Sequence, residues 1–217
     1  MKAMRHYVAT ILLLTLACFC RLDAQLLRGY GLKAGLTSAN EAYHLGSLPQ
    51  FETKRRVGFC IAAYAEWLNL SALSVVTQLE YTQRGVGWEL KTLRVGPRGF
   101  EQISSQVSYA RVDFISLPIL IKLRLPVGSI QPFLLAGPRI DHLLGYTSAD
   151  WSLIDPYSSF DQNVLGGSVG GGVESVELLP VDVVMEFRYN HDFVNSYENP
   201  VLTVRKNAFD FWLGVRL

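Results

Sequence analysis

The chain has 217 residues, enough for one good-sized domain and short for two. Hydrophobic residues make up 49% of the chain and charged residues 18%, whereas a soluble globular protein usually carries about a quarter charged residues. The formal net charge is +1, so no strongly basic surface for nucleic acid is indicated. The composition disfavours a nucleic-acid-binding protein and favours one with more apolar surface than a water-soluble fold needs.

The N-terminal segment predicts a cleavable secretory signal peptide over residues 1–24. A basic start is followed by an apolar run over residues 7–20, and we place the cleavage site between Ala24 and Gln25. The run is shorter than the about 20 apolar residues of a membrane-spanning helix. A lipoprotein signal ending at Cys18 is the alternative.

The mature part, residues 25–217, would carry 17 basic and 18 acidic residues and a single cysteine, Cys60. One cysteine can neither close an intramolecular disulfide nor build a zinc site. We therefore expect Cys60 to be a packing residue, and the sequence predicts no metal and no cofactor.

Alternation of apolar and polar residues recurs along the mature chain, as in strands with two different faces. About eight segments of this kind are present, and their lengths suit a bilayer, which a tilted strand of about 9–11 residues crosses. The clearest are residues 57–67, 73–82, 115–125, 181–190 and 209–217, with weaker ones at 30–38, 132–144 and 164–174.

The connections between these segments alternate in length, which is typical of outer-membrane barrels with long extracellular loops and short periplasmic turns. The long ones cover residues 39–55, 85–108, 146–162 and 191–206, and the short ones residues 69–72, 126–131 and 177–180. Both patterns predict an all-β, up-and-down, antiparallel transmembrane β-barrel of about eight strands in the outer membrane of a Gram-negative cell. An even strand number places both termini on the periplasmic side.

The two faces of the predicted strands differ in chemistry. Phe, Leu, Ile and Val would contact lipid, and a mixed-sign set of charged side chains would point inward. Eight strands leave an interior filled by side chains, so we expect no open pore. The inward set is Glu66, Glu80, Lys122, Arg124, Glu174, Glu186, Arg188 and Asp210.

Aromatic residues stand near the predicted strand ends, where interfacial girdles of outer-membrane barrels lie. These are Tyr30, Trp67, Tyr81, Trp88, Tyr109, Tyr146, Tyr189 and Phe209. Two prolines fit the strand pattern less well, because proline cannot donate a ladder hydrogen bond. We expect a bulge at Pro118, and a bulge or strand end near Pro138.

Four segments resemble the PorT-like outer-membrane β-barrel family: residues 31–40 (GLKAGLTSAN), 79–85 (LEYTQRG), 115–122 (ISLPILIK) and 132–138 (PFLLAGP). The similarity runs in order over nearly the whole mature chain. It implies an outer-membrane barrel of about eight strands, in which the proline of the third segment is a family feature. The founding member is linked to type IX protein secretion, so the resemblance implies an accessory role in secretion. Leu217 departs from the terminal Phe usual in many such barrels.

Catalytic chemistry has weak candidates. His44, His142 and the adjacent pair His191–Asp192 lie near predicted loops, where a base oriented by a carboxylate could activate a serine for acyl transfer. No serine completes such a set, and we assign no catalytic residue. Glu186 and Arg188, with Glu80 and Lys122, could form a proton relay, but we expect an internal ionic network that fills the barrel.

Two further motifs favour ordinary structural roles. The glycine-rich segment 166–172 lacks the Gly-Lys-Ser/Thr of a phosphate-binding loop, and we expect glycines of a curved strand. Asp150, Asp155 and Asp161 lack the spacing of a calcium-binding loop, so we expect solvated loop residues.

The sequence thus predicts a non-enzymatic structural or interaction barrel. Its partners would be membrane lipid and, through the long loops, proteins; no nucleic acid is expected, and the oligomeric state stays open. One alternative is a small lipid-modifying outer-membrane enzyme. Another is a soluble lipocalin-like carrier, in which the apolar face would line the cavity.

Overall fold

The computed structural model describes residues 26–45, 53–68, 70–96, 99–125, 127–147, 161–175, 181–198 and 202–217. The predicted signal peptide with its cleavage site, and two of the candidate calcium ligands, Asp150 and Asp155, lie outside these ranges. Within them, no helix is long and apolar enough to cross a membrane.

Eight antiparallel strands form a closed ring, which confirms the predicted fold. Each strand pairs with the next along the chain, and the last long strand pairs with the first. The strands are β1 (Leu27–Leu45), β2 (Thr53–Trp67), β3 (Leu73–Gly96), β4 (Gly99–Arg124), β5 (Ile130–Thr147), β6 (Asn163–Ser175), β7 (Asp182–Asp192), β8 (Tyr197–Glu198) and β9 (Leu202–Arg216). The two-residue β8 is not a member of the ring; it pairs with the N-terminal end of β9.

The seam between β1 and β9 closes the barrel. Pairing runs without a register shift from Gly31 opposite Arg216 to Leu45 opposite Leu202. Next to it, the backbone N–H of Leu217 donates to the carbonyl of Tyr30 at 2.8 Å. Closure removes the open edges that a sheet could not keep in hydrocarbon, because every buried peptide group there needs a partner.

The prediction of a long loop over residues 85–108 is wrong. Residues 85–108 form most of a β-hairpin, in which β3 and β4 pair up to Gly96 opposite Gly99. The predicted loops 39–55 and 191–206 are likewise shortened, since β1 runs to Leu45 and β9 begins at Leu202. The short turns match the prediction, with breaks after Trp67, Arg124 and Ser175.

The bulges expected at Pro118 and Pro138 are also wrong. The β3–β4 register is the same on both sides of Pro118, and the β5–β6 register is unbroken through Pro138. The ladders instead lose a few pairs: Gln78 and Leu79 have no ladder partner on β4, and Ile119 and Leu120 have none on β5. Because each proline lacks an N–H group, hydrogen bonds are lost locally, but no extra residue is inserted into either strand.

The outer and inner faces follow the predicted alternation. Exposed apolar side chains form a belt around the ring, and the eight predicted inward charged residues are all buried. The belt includes Leu32, Leu36, Phe59, Ile61, Leu79, Ile119, Ile121, Leu134, Val169, Phe187, Phe211 and Leu213. This arrangement is the reverse of the soluble carrier, which needs its apolar face inside.

Most predicted girdle aromatics lie on the outer wall, among them Tyr30, Tyr109 and Phe209. Trp88 is the exception. Its ring lies 5.9 Å from that of Tyr43 and packs against a buried apolar cluster inside the barrel, so its assignment to the girdle is wrong.

The glycines of β6 permit close approach to β7. A Cβ at Gly172 would lie 2.0 Å from the carbonyl oxygen of Met185, and one at Gly170 would lie 2.3 Å from that of Phe187. The strand interpretation of residues 166–172 is therefore confirmed.

Candidate functional site

The described residues form three ionic clusters in the interior, stacked from the end with the termini towards the end with the hairpin. The first, the terminal-end cluster, joins Arg124 and Lys122 of β4 to Glu66 of β2 and Glu174 of β6. Arg124 Nε lies 2.6 Å from Glu174 Oε1, and Lys122 Nζ lies 3.4 Å from Glu66 Oε2. Arg216 of β9 joins it at 3.3 Å from Glu174. The cluster ties four strands together across the bore.

The second, the central cluster, is built around Arg188 of β7. Its Nη1 lies 2.5 Å from Glu80 Oε1, and its guanidinium also pairs with Glu186 two residues away. Lys33 Nζ of β1 lies 2.5 Å from Glu186 Oε2. Asp210 accepts a hydrogen bond from Asn190 at 2.5 Å. An ion pair this deeply buried needs such multiple contacts, because desolvation of each charge costs several kcal/mol.

The third, the upper cluster, joins β3, β5 and β7. Arg84 Nη1 lies 2.6 Å from Asp141 Oδ2, and Arg139 lies between Asp141 at 2.8 Å and Asp192 at 2.7 Å. All four side chains are buried. The sequence interpretation did not identify this cluster.

An apolar layer follows the upper cluster towards the hairpin end. It consists of Tyr43, Val86, Ala110, Val112, Phe114 and Val204, with Trp88 and Leu143 packed against it. Cations of the upper part rest on its aromatic face, with Lys206 Nζ at 4.7 Å and Arg84 at 5.6 Å from the Phe114 ring centre. Charged and apolar layers thus fill the bore, as expected for eight strands.

The predicted internal ionic network is confirmed, since Glu186, Arg188, Glu80 and Lys122 all form direct ion pairs in the interior. Among the described residues, buried cations and anions are nearly balanced, seven against eight. They are Lys33, Arg84, Lys122, Arg124, Arg139, Arg188 and Lys206, with Glu41, Glu66, Glu80, Asp141, Glu174, Glu186, Asp192 and Asp210.

The candidate catalytic pair is not assembled. His191 lies on the outer wall, stacked on Tyr189 with ring centres 6.2 Å apart, whereas Asp192 is buried inside and paired with Arg139. The two point to opposite faces because successive strand side chains do. His142 is exposed, with Nδ1 2.9 Å from Asn163 Oδ1. The side chain of His44 lies outside the described part.

The described residues contain no cluster of three or more His, Cys, Asp or Glu side chains that could hold a metal ion. Asp161, the one candidate calcium ligand within the described ranges, is exposed. Cys60 is buried and unpaired, and packs with Ala62 and Trp212.

The sheet continues beyond the apolar belt, and we call this part of it the projecting sheet. It comprises residues 38–45 of β1, 53–56 of β2, 82–96 of β3, 99–110 of β4 and 202–208 of β9. Most of its outer side chains that the structure describes are polar, with Tyr109 an exception. Ion pairs such as Lys54–Glu89 at 2.9 Å and Arg111–Asp113 at 2.6 Å lie on or beside it. Residues 82–96 alone span roughly 50 Å of extended chain.

Part of the projecting sheet has open edges. Within the described ranges, β4 pairs with β5 only from Arg111 onward, and β3 pairs with β2 only up to Trp88. Beyond these residues, the two strands of the hairpin pair with each other alone. Within the described part of the chain, their outer N–H and C=O groups have no ladder partner, which is the arrangement of a strand edge that another strand can join.

Comparisons with known proteins give structural similarity only. No family model matches the chain, and no curated protein matches it. Solved structures similar to it include Neisserial surface protein A, with 18% identity, 87% of this chain and 97% of that one covered, and a TM-score of 0.46. The outer membrane protein OprG from Pseudomonas aeruginosa has 10% identity, coverages of 90% and 99%, and a TM-score of 0.48. The attachment invasion locus protein Ail of Yersinia pestis has 9% identity, coverages of 87% and 98%, and a TM-score of 0.45.

The chain's own geometry makes it an outer-membrane β-barrel. Its sheet is closed, its outside is apolar and its charges are inside, which is the arrangement of a β-sheet that spans a lipid bilayer.

Proposed function

We propose that this protein is a non-enzymatic outer-membrane barrel that binds a protein partner outside the cell through its projecting sheet. The observation that carries the proposal is the hairpin of β3 and β4, which extends past the belt to Gly96 and Gly99 and whose outer edges have no strand partner among the described residues. An extended segment of a partner can add to such an edge, since backbone hydrogen bonds then supply affinity.

The filled interior supports this role. Three ionic clusters and an apolar layer occupy the bore, so the barrel is suited to anchoring a surface, not to conducting solutes. Natural proteins usually protect open strand edges from association. The edge over residues 99–110 of β4, which no described strand covers, is therefore consistent with a surface that a partner covers.

Shortening the hairpin tests the proposal. Residues 90–106 are replaced by Asn-Gly, because Glu89 and Val107 face each other and a two-residue turn can join them. We expect the variant to reach the outer membrane and to keep its heat-dependent gel mobility, yet to lose a partner that co-purifies with the wild-type barrel. A control keeps the hairpin length but carries an unrelated strand-forming sequence.

The control separates two modes of recognition. Retention of the partner by the control indicates recognition of the backbone edge, and loss indicates recognition of side chains. Equal partner capture by the wild type and the shortened variant would contradict a role for the hairpin.

An accessory role in type IX secretion is the finer proposal. It is supported by the resemblance of residues 31–40, 79–85, 115–122 and 132–138 to the PorT-like family. A strain that lacks the protein should then retain secreted cargo in the periplasm, and the full-length gene should restore export. Unchanged cargo in the culture medium would contradict the secretion role while leaving the partner proposal intact.

A lipid-modifying activity is the alternative from another class. The placement of His191 and Asp192 on opposite faces of β7 speaks against it. We expect the same lipid profile, by mass spectrometry, from cells with and without the protein. A new lipid species that disappears with His142→Ala would favour the enzyme.

A further inference from the structure

A groove of about 450 Å³ lies on the outer wall where β5, β6 and β7 run side by side. Its floor is Gly167, where a Cβ would lie only 2.4 Å from Cζ of Phe193. Phe193 reaches this position because β7 leaves its ladder after Asp192, and the N–H groups of Phe193 and Val194 both donate to the carbonyl of Leu165. The main lining residues are Pro138, Gly167, Val169, Tyr189, His191 and Phe193.

The groove opens towards the lipid. Val169 and Phe193 are 54% and 61% exposed on the outer wall. Tyr189 packs against Phe209, with ring centres 5.0 Å apart, so the groove lies at the level where aromatic side chains meet the polar edge of the bilayer. Its volume falls within the about 300–1,000 Å³ of small-molecule sites, which are mostly apolar.

A cation stands beside the groove. Arg55 of β2 reaches across β1, with its guanidinium 4.8 Å from the Phe209 ring centre. Its Nε donates to Ser38 Oγ at 3.0 Å, Nη1 to Asn207 Oδ1 at 3.1 Å and Nη2 to the Ser38 carbonyl at 2.5 Å. These contacts fix the side chain but use only three of its five N–H groups.

Arg55 differs from the other outer cations described above in its ion pairing. Among the described residues no carboxylate lies within ion-pair distance of it, whereas Lys54 and Arg111 each have one. Asn207, which holds Arg55, is paired across the ladder with His191 of the groove wall. An immobilised, exposed guanidinium therefore lies next to an apolar groove, with Asn207 and His191 between them.

We propose that this arrangement is a binding site for an anionic phospholipid, one whose phosphate charge is not neutralised by a cationic headgroup, in the leaflet that faces the hairpin end. The phosphate accepts hydrogen bonds from Arg55, with which it matches in charge and geometry. One acyl chain lies over Gly167, between Tyr189 and Phe193. Arg55 and the groove are a few strand spacings apart, on the order of 10–15 Å, which a lipid headgroup with the start of its chains can span.

Native mass spectrometry of the mature barrel in a maltoside detergent tests the site, with dimyristoyl phosphatidylglycerol and the matching phosphatidylcholine as probes. We expect one phosphatidylglycerol to bind per barrel, saturably. The affinity for phosphatidylcholine should be lower by about tenfold or more. Arg55→Gln should lower affinity for phosphatidylglycerol about tenfold or more, the amount expected for lost hydrogen bonds to a charged group. Gly167→Leu, which fills the groove, should weaken binding of both lipids.

The matched control is Arg111→Gln, which removes the same charge from the outer surface away from the groove and should leave affinity unchanged. Heat-dependent gel mobility verifies that each variant is folded. Equal binding of the two lipids, an unaltered affinity in Arg55→Gln or Gly167→Leu, or an equal loss in Arg111→Gln would each overturn the proposal.

Discussion

Arg139 and Asp192 form an ion pair that passes directly over a glycine. The two residues stand on β5 and β7, and between them on β6 lies Gly166, which is paired with both. Arg139 Nη2 is 2.7 Å from Asp192 Oδ1. A Cβ at Gly166 would lie 3.0 Å from that nitrogen and 2.7 Å from the carbonyl oxygen of His191. The bridge therefore depends on the absence of a side chain beneath it.

Gly166→Val should displace the bridge. We expect the free energy of unfolding to fall by at least about 2 kcal/mol, because the new side chain overpacks the interior and separates a buried ion pair. Guanidinium unfolding in lipid vesicles, followed by tryptophan fluorescence, measures the change. Gly145→Ala is the control, since a Cβ at that position meets nothing within 4 Å, and a shift within about 0.5 kcal/mol is expected. Equal effects of the two substitutions would contradict this account.

Arg188→Met should destabilise the barrel by about 3–5 kcal/mol, because Glu80 and Glu186 would lose their shared cationic partner in the interior. Arg205→Met, at an exposed site beside Asn195, should cost at most about 1 kcal/mol. The same unfolding measurement compares the two. A loss below about 1 kcal/mol for Arg188→Met would mean that the central cluster contributes little to stability.

Leu213→Lys should reveal which face of the sheet contacts lipid. Leu213 is 51% exposed in the middle of the β9 part of the belt, and lysine at the bilayer midplane costs about 2–4 kcal/mol. Thr203→Lys, on the same face of β9 but beyond the belt, should cost about 0–1 kcal/mol. The free energy of unfolding of each variant is measured in lipid vesicles. Tolerance of Leu213→Lys would favour the soluble carrier, whose outside faces water.

We propose that the mature protein begins at Gln25. The intact mass of protein isolated from the outer membrane should then correspond to residues 25–217, without a lipid modification. A mass that begins at Cys18 and includes acyl chains would establish the lipoprotein alternative.

The sequence predicts the membrane-spanning half of the barrel well, because lipid outside and charge inside give neighbouring residues opposite polarity. Glu80 beside Leu79 and Asp210 beside Phe211 show this contrast, and their inward placement is confirmed. The same contrast predicts the ring, the short turns and the internal network.

Beyond the belt the contrast disappears, because the outer face there contacts water. Buried Arg84 has Gln83 as its neighbour, and buried Lys206 stands between Arg205 and Asn207. With a polar outer face and an inner face that mixes charged and apolar residues, the regular alternation is lost and the segments resemble loops in sequence, which is why the projecting sheet and the upper cluster were not predicted. The predicted bulges at the two prolines were wrong for a different reason. A missing N–H removes ladder pairs but does not require an extra residue.

The pairing of β1 with β9 has a consequence for the order of biogenesis. Gly31 and Arg216 lie almost the whole mature chain apart, so their contact has a high entropic cost and forms late. Until β9 pairs with β1, every partly formed barrel exposes two unpaired strand edges together with an apolar outer wall. We therefore expect the nascent chain to need shielding from aggregation until the ring closes, because only the pairing of β9 with β1 removes both open edges.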